Sequence, residues 1–183
     1  MERDLKILAI NPGSTSTKIA LYEGETPLFA KNISHSADEV GRYEKISDQY
    51  EFRKNVILDV IKEYGINLSE IDAIVGRGGN MKPVQGGTYK INDAMVEDLR
   101  IGVMGQHASN LGGIIANAIA ADLGISAYVV DPVVVDEFED YARISGMPEI
   151  QRKSKDHPLN QKAAARIKAK ELGGVYSDFN FIV

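Results

Sequence analysis

The chain has 183 residues, of which 44% are hydrophobic and 26% charged, an ordinary globular composition with room for one sizeable core. Its 21 basic and 26 acidic residues leave a net charge of −5, which argues against a nucleic-acid or anionic-membrane surface. It has no cysteine, hence no disulfide scaffold or cysteine nucleophile, and no apolar run near the roughly 18–20 residues of a membrane span, so the expected setting is the reducing cytoplasm, with the mature chain beginning near Met1.

Lys6 to Ile10 is an apolar run of strand length, closed by the turn signal Asn11-Pro12-Gly13-Ser14. Residues 17–22 and 26–33 read as two further strands around Glu23-Gly24-Glu25, which predicts an antiparallel meander. A helix capped by Ser47 or Asp48 carries Val56, Ile57, Val60, Ile61 and Tyr64 at helical spacing and ends at Gly65. Ile71 to Val75 is a buried strand leading into Gly76-Arg77-Gly78-Gly79. A short helix begins at Asn92 or Asp93, and an alanine-rich one spans 110–123 before Gly124. Residues 127–130 form another strand, stopped by Asp131-Pro132. Residues 160–172 form a helix, and Phe179 to Val183 begin a last strand. Strands alternating with helices after the meander predict a mixed, largely parallel α/β sheet of five strands, with helices on both faces and a single domain over 1–183. This order resembles the ribonuclease-H-like domain of actin-like ATPases and sugar kinases.

The chemistry-bearing residues fall between these elements. A tight hairpin holding Asn11, Gly13, Ser14, Ser16 and Lys18 gathers backbone N–H groups, hydroxyls and one lysine, the groups that grip phosphate oxygens. Asn11 could also orient a water bound to magnesium. As composition alone, the same string is a plain Ser/Thr-rich turn. Arg77, at a strand end in a glycine-rich loop, has the planar fork that suits a carboxylate or phosphoryl group, or it is a surface arginine beside a turn. His107 lies in the loop before the alanine-rich helix, where Ser109 or Asn110 would be the cap. Asp131 stands at the C-terminal end of a parallel strand, where ligands of open α/β sheets gather, or it is a turn aspartate before proline. His157 precedes the last helix and could donate a hydrogen bond to a phosphoryl group.

Read together, the string Asn11 to Lys18, Gly76-Arg77-Gly78-Gly79, the segment around His107, Val130-Asp131-Pro132 and the segment around His157 resemble the acetokinase family in order and spacing. The resemblance implies an N-terminal acetokinase domain. It implies reversible transfer of a phosphoryl group from ATP, with Mg2+, to a short carboxylic acid by direct in-line displacement. It implies that Arg77, His107, Asp131 and His157 are active-site residues, that Asn11 and Asp131 lie by the metal, and that Asn11, Gly13, Ser14, Ser16 and Lys18 lie by the ATP phosphates. Around His157 the sequence lacks the Gly-Phe-His-Gly-Thr-Ser-His context of the acetate-specific members and resembles the butyrate-specific branch. Acetate kinases also carry a valine two residues after the arginine. Gly79 stands there in this chain, which would admit a longer acyl chain, each buried CH₂ being worth about 0.8 kcal/mol.

In this family a second, similar domain follows, with a glycine-rich phosphate loop and the adenosine pocket. The chain ends before both, so it is expected to fold, to bind ATP poorly and to be inactive alone. Its uncovered apolar face is expected to drive homo-oligomers. An acetate or propionate kinase and a non-catalytic module of the same fold are the other readings.

Overall fold

The structure is a computed structural model that describes residues 3–154 and 158–182. Its contacts group into two compact units, Met1–Lys82 with Gly87–Pro132, and Pro83–Gly86 with Val133–Val183.

The first unit is built on one sheet. β1 (Lys6–Pro12), β2 (Ser16–Glu23) and β3 (Thr26–Ser34) form the predicted meander, and β4 (Ala73–Gly76), β5 (Thr88–Lys90) and β6 (Ser126–Val130) complete it. The order is β3-β2-β1-β4-β6-β5, with β1, β4 and β6 parallel and β2 and β5 running against their neighbours. The sheet therefore has six strands where five were expected. The added one is β5, a three-residue edge strand behind Gly86-Gly87 whose Thr-Tyr-Lys sequence gives no apolar run to read.

Side-chain alternation sets the two faces of the sheet. Leu8, Ile10, Thr17, Ile19, Leu21, Ile74, Ala127 and Val129 are buried on one face. Ala9, Asn11, Lys18, Ala20 and Tyr22, on the other, are half-buried or exposed. The helix α4 (Asn110–Leu123) packs on β1, β4 and β6 across the buried face, and α2 (Tyr50–Glu63) and α3 (Asp93–Ile101) pack against α4. Asn110 to Ala116 are all buried, and the two glycines among them sit where there is no room for a side chain: a Cβ on Gly113 would lie 2.6 Å from Leu99 Cδ1 and one on Gly112 would lie 2.5 Å from the Arg77 carbonyl oxygen. The helix α1 (Ala37–Val40) is a single turn held by a capping box between Ser36 and Glu39. A 3₁₀ turn, Ile46–Gln49, precedes α2, so the helix begins at Tyr50 rather than at a Ser47 or Asp48 cap.

In the second unit α5 (Pro158–Glu171) opens on proline, whose missing N–H costs nothing at a first helical position. The strand expected from Phe179 is not formed among the described residues. A 3₁₀ turn, Tyr176–Asp178, lies just before Phe179, and the Phe181 ring packs against those of Phe179 and Tyr176, with centroids 5.5 and 6.2 Å away. No helix among the described residues is long and apolar enough to cross a membrane.

Candidate active site at the carboxyl ends of the parallel strands

The register aligns Ile10, Gly76 and Val129 across β1, β4 and β6. The next residues, Asn11, Arg77 and Val130-Asp131, therefore leave the sheet side by side at its C-terminal edge, where an α/β sheet offers its ligand crevice. Arg77 continues the ladder, its N–H donating to the Ile10 carbonyl at 2.8 Å. Its guanidinium turns back over β1, and Nη1 donates to Asn11 Oδ1 at 3.2 Å. Lys18 is the cross-strand partner of Asn11, and both lie on the open face of the sheet. A shallow depression of about 430 Å³ begins at these two residues and runs over Ala9, Ala20, Tyr22 and Asn32.

The hairpin between β1 and β2 is closed by the Gly13 N–H on the Ser16 carbonyl at 2.7 Å. Its inner side is organised by Arg53 of α2, which is fully buried. Nη1 donates to the carbonyls of Gly13 (2.8 Å) and Ser16 (3.1 Å) and to Thr17 Oγ1 (3.2 Å). Nη2 donates to the Ser14 carbonyl (2.9 Å), and Gln49 Oε1 accepts from both Nη2 (2.9 Å) and Nε (3.0 Å). Burial lowers the guanidinium's proton affinity, yet a guanidinium keeps its proton in proteins. Sequence reading passed over Arg53. The available signal is that it sits four residues before Ile57 on the buried stripe of α2, a charged residue at a core position.

The loop after β4 meets the start of α4 backbone to backbone. A Cβ on Gly76 would lie 2.2 Å from the Gly112 carbonyl oxygen, and one on Gly112 would lie 2.5 Å from that of Arg77. At Gly79 a Cβ would meet Asn110 Oδ1 at 2.3 Å and its Cα at 2.5 Å. A side chain at position 79 would therefore point at Asn110, the first residue of α4, which gives glycine there a packing reason beside the expected one. Asn110 is also not a helix cap. Its Oδ1 accepts from the Asn80 N–H (2.8 Å), and its Nδ2 donates to the carbonyls of Leu99 (3.2 Å) and Gly105 (3.1 Å). Ser109 does not cap α4 with its side chain either; its Oγ lies 2.8 Å from His107 Nδ1.

His107 is exposed, and its Nδ1 accepts the Ser109 N–H at 3.1 Å. An accepting Nδ1 fixes the neutral ring as the Nε2–H tautomer. Asp131 has φ of 41°, a left-handed conformation rare for a residue other than glycine, and its Oδ1 accepts from the Gly87 N–H at 2.7 Å. His157 lies outside the described residues.

Of the two residues expected beside a metal, Asn11 accepts through Oδ1 from the Arg77 guanidinium and Asp131 through Oδ1 from the Gly87 N–H, and no cluster of three or more His, Cys, Asp or Glu side chains suited to a metal exists among the described residues.

The chain is 58% identical over 178 residues to butyrate kinase 1 of Clostridium acetobutylicum and 57% identical over 178 residues to a probable butyrate kinase of Clostridium botulinum. Each match covers 97% of this chain and 50% of the relative, so the chain spans about half the length of the curated relatives it matches. Among solved structures, the acetate kinase of Porphyromonas gingivalis superposes with a TM-score of 0.61 at 18% identity, covering 94% of this chain and 50% of that one. A propionate kinase from Francisella tularensis superposes with a TM-score of 0.53 at 18% identity, covering 93% and 50%. At these identities the superpositions establish the shared fold. No protein-family profile matches the chain.

Proposed function

From this chain's membership in the butyrate kinase family, of which it spans the N-terminal half, we propose that it carries the acid- and phosphate-binding half of a carboxylate kinase. The reaction is reversible transfer of the γ-phosphoryl group of ATP to butyrate or a related short acid. A carboxylate oxygen forms a bond to the γ-phosphorus as the bond to the β–γ bridging oxygen breaks, giving acyl phosphate and ADP with no net proton transfer.

The observation that supports this most is the pairing of Arg77 with Asn11 where β1 and β4 leave the sheet. A planar guanidinium held there can bond two oxygens at once, and phosphoryl transfer is chiefly positioning and charge neutralisation. Arg77 would take the carboxylate and the transferring group. Lys18, Ser14, Ser16 and the N–H groups of the hairpin would face the phosphates of ATP. His107 would offer its Nε2–H, and His157 would lie by the transferring group. Asp131 would hold the loop before β5 at the edge of the site.

The test joins this chain to the half of a matched butyrate kinase that it does not span, supplies ATP as its magnesium salt, and traps acyl phosphate with hydroxylamine. Hydroxamate from butyrate well above that from acetate is the expected result. No hydroxamate from either acid with the joined protein would overturn the reading.

A further inference from the structure

We propose that Arg53 is a positioning residue for phosphate: a buried cation whose charge is left unneutralised so that the β1–β2 hairpin presents N–H groups and positive potential to an incoming polyphosphate. The proposal rests on the reading of this hairpin as the phosphate-accepting turn.

Burying an arginine costs several kcal/mol, and proteins ordinarily recover that with a carboxylate. Here none of the ion pairs among the described residues involves Arg53. All its donors go to neutral oxygens: three hairpin carbonyls, the Thr17 hydroxyl and the Gln49 amide. The positive charge is therefore solvated by dipoles but not cancelled, and in a region of low dielectric its field reaches through the thin turn.

The geometry acts in the same direction. No peptide bond among the described residues is cis. In a planar trans peptide the C=O and the N–H of the same unit point oppositely. The carbonyls of Gly13 and Ser14 point inward at Arg53, so the N–H groups of Ser14 and Thr15 point outward. Two outward N–H groups over a buried cation form an anion-accepting surface, and the Ser14 hydroxyl sits on the same turn. Gln49 receives Nε and Nη2 on one oxygen, the edge a carboxylate would otherwise occupy. An uncharged amide at this edge preserves the positive field.

Two variants of the 183-residue chain separate this from a merely structural role. Gln49→Glu keeps the shape and the two bonds accepted from Arg53, gives up the bond of 3.4 Å from Gln49 Nε2 to the Val40 carbonyl, and cancels the charge. Arg53→Lys keeps the charge but cannot reach all three carbonyls. Inorganic tripolyphosphate is titrated into each by calorimetry, with thermal unfolding as the check on folding. The parent chain is expected to bind tripolyphosphate, and each folded variant to bind it at least about fivefold more weakly, Gln49→Glu doing so with an undiminished melting temperature, since a new ion pair stabilises the fold. Absence of binding by the parent at millimolar tripolyphosphate, or affinity within about twofold of the parent in either folded variant, overturns the proposal. Failure of the acyl-kinase reading would look different: no hydroxamate in the joined protein, with tripolyphosphate binding and its dependence on Arg53 intact.

Discussion

Arg77 and Asn11, 66 positions apart, share a hydrogen bond of 3.2 Å at the point where β1 and β4 leave the sheet. The bond helps to orient a long, exposed side chain whose free rotamers would cost entropy to fix. Arg77→Ala is therefore expected to lower turnover of the joined protein far more than tenfold, and Arg77→Lys nearly as much, because an ammonium cannot reproduce the planar fork. Asn11→Ala is expected to raise KM for the carboxylate with a smaller loss in turnover. Hydroxamate kinetics with butyrate check all three, and a near-wild-type rate for Arg77→Ala removes the arginine from the site.

Gly79 gives a test in which packing and specificity predict different readouts. A Cβ there would sit 2.3 Å from Asn110 Oδ1, against the helix backbone itself, which has little freedom to move. Gly79→Val is expected to destabilise the chain by roughly 2–4 kcal/mol, the range of overpacked cores and broken buried networks. Urea unfolding measures it. Unchanged stability together with a shift from butyrate toward acetate would favour the acyl-pocket reading.

How much of this was legible beforehand follows from how local each signal is. The meander, α3, α4 and β6 were readable because their turns are written in short strings such as Asn11-Pro12-Gly13-Ser14 and in glycines that end helices. Gly102 and Gly124 do adopt left-handed φ of 67° and 69°. The edge strand β5 is specified by partners distant in sequence, β6 and the Asp131 carboxylate, so nothing within Thr88–Lys90 announces it. The reverse error occurred at Phe179 to Ile182, where aromatic residues of strand-like composition are satisfied by stacking on one another. Within the site, the residue types at Asn11, Lys18 and Arg77 were evident, because each is exposed polar chemistry beside a strand end. Arg53 was harder to read because three of its partners are backbone carbonyls, which leave no trace in side-chain sequence.

Asn110 ties the loop after β4 to α3 and α4 by filling three backbone partners from inside the fold. Truncation leaves the part-buried Asn80 N–H and the Leu99 carbonyl without this partner, while the exposed Gly105 carbonyl keeps the bond from Asn80 Nδ2. Asn110→Ala is expected to cost about 2–4 kcal/mol, more than a single exposed hydrogen bond would, because buried polar groups are left unpaired. Asn110→Asp keeps the bond from Asn80 but sets a carboxylate against two carbonyls, and is expected to be at least as damaging. Urea midpoints for the two variants decide it, and losses below about 0.5 kcal/mol in both would show that water replaces the amide.

The pH dependence of stability should carry the mark of His35. Its Nε2 lies 2.9 Å from Thr17 Oγ1, and that oxygen also accepts from Arg53. The hydroxyl keeps a proton to donate to Nε2, and in that arrangement the ring is neutral. Burial foremost, then the nearby Arg53 charge, lower the histidine's proton affinity from its ordinary value of 6.5, with Glu39 opposing weakly. The unfolded chain therefore takes up a proton that the folded chain refuses, and stability rises with pH wherever the unfolded state binds more protons. The contribution is fully present above the ordinary histidine range and is lost as pH falls below about 6.5. The lowered carboxylates of Asp72 and Asp136 give way further down, below their own ordinary value of 3.8, so the two effects separate. Urea midpoints between about pH 8 and 5.5 are expected to fall in the parent chain and to flatten in His35→Gln, whose amide can still accept from Thr17 but does not titrate. Equal slopes in the two proteins would assign the pH dependence to other groups.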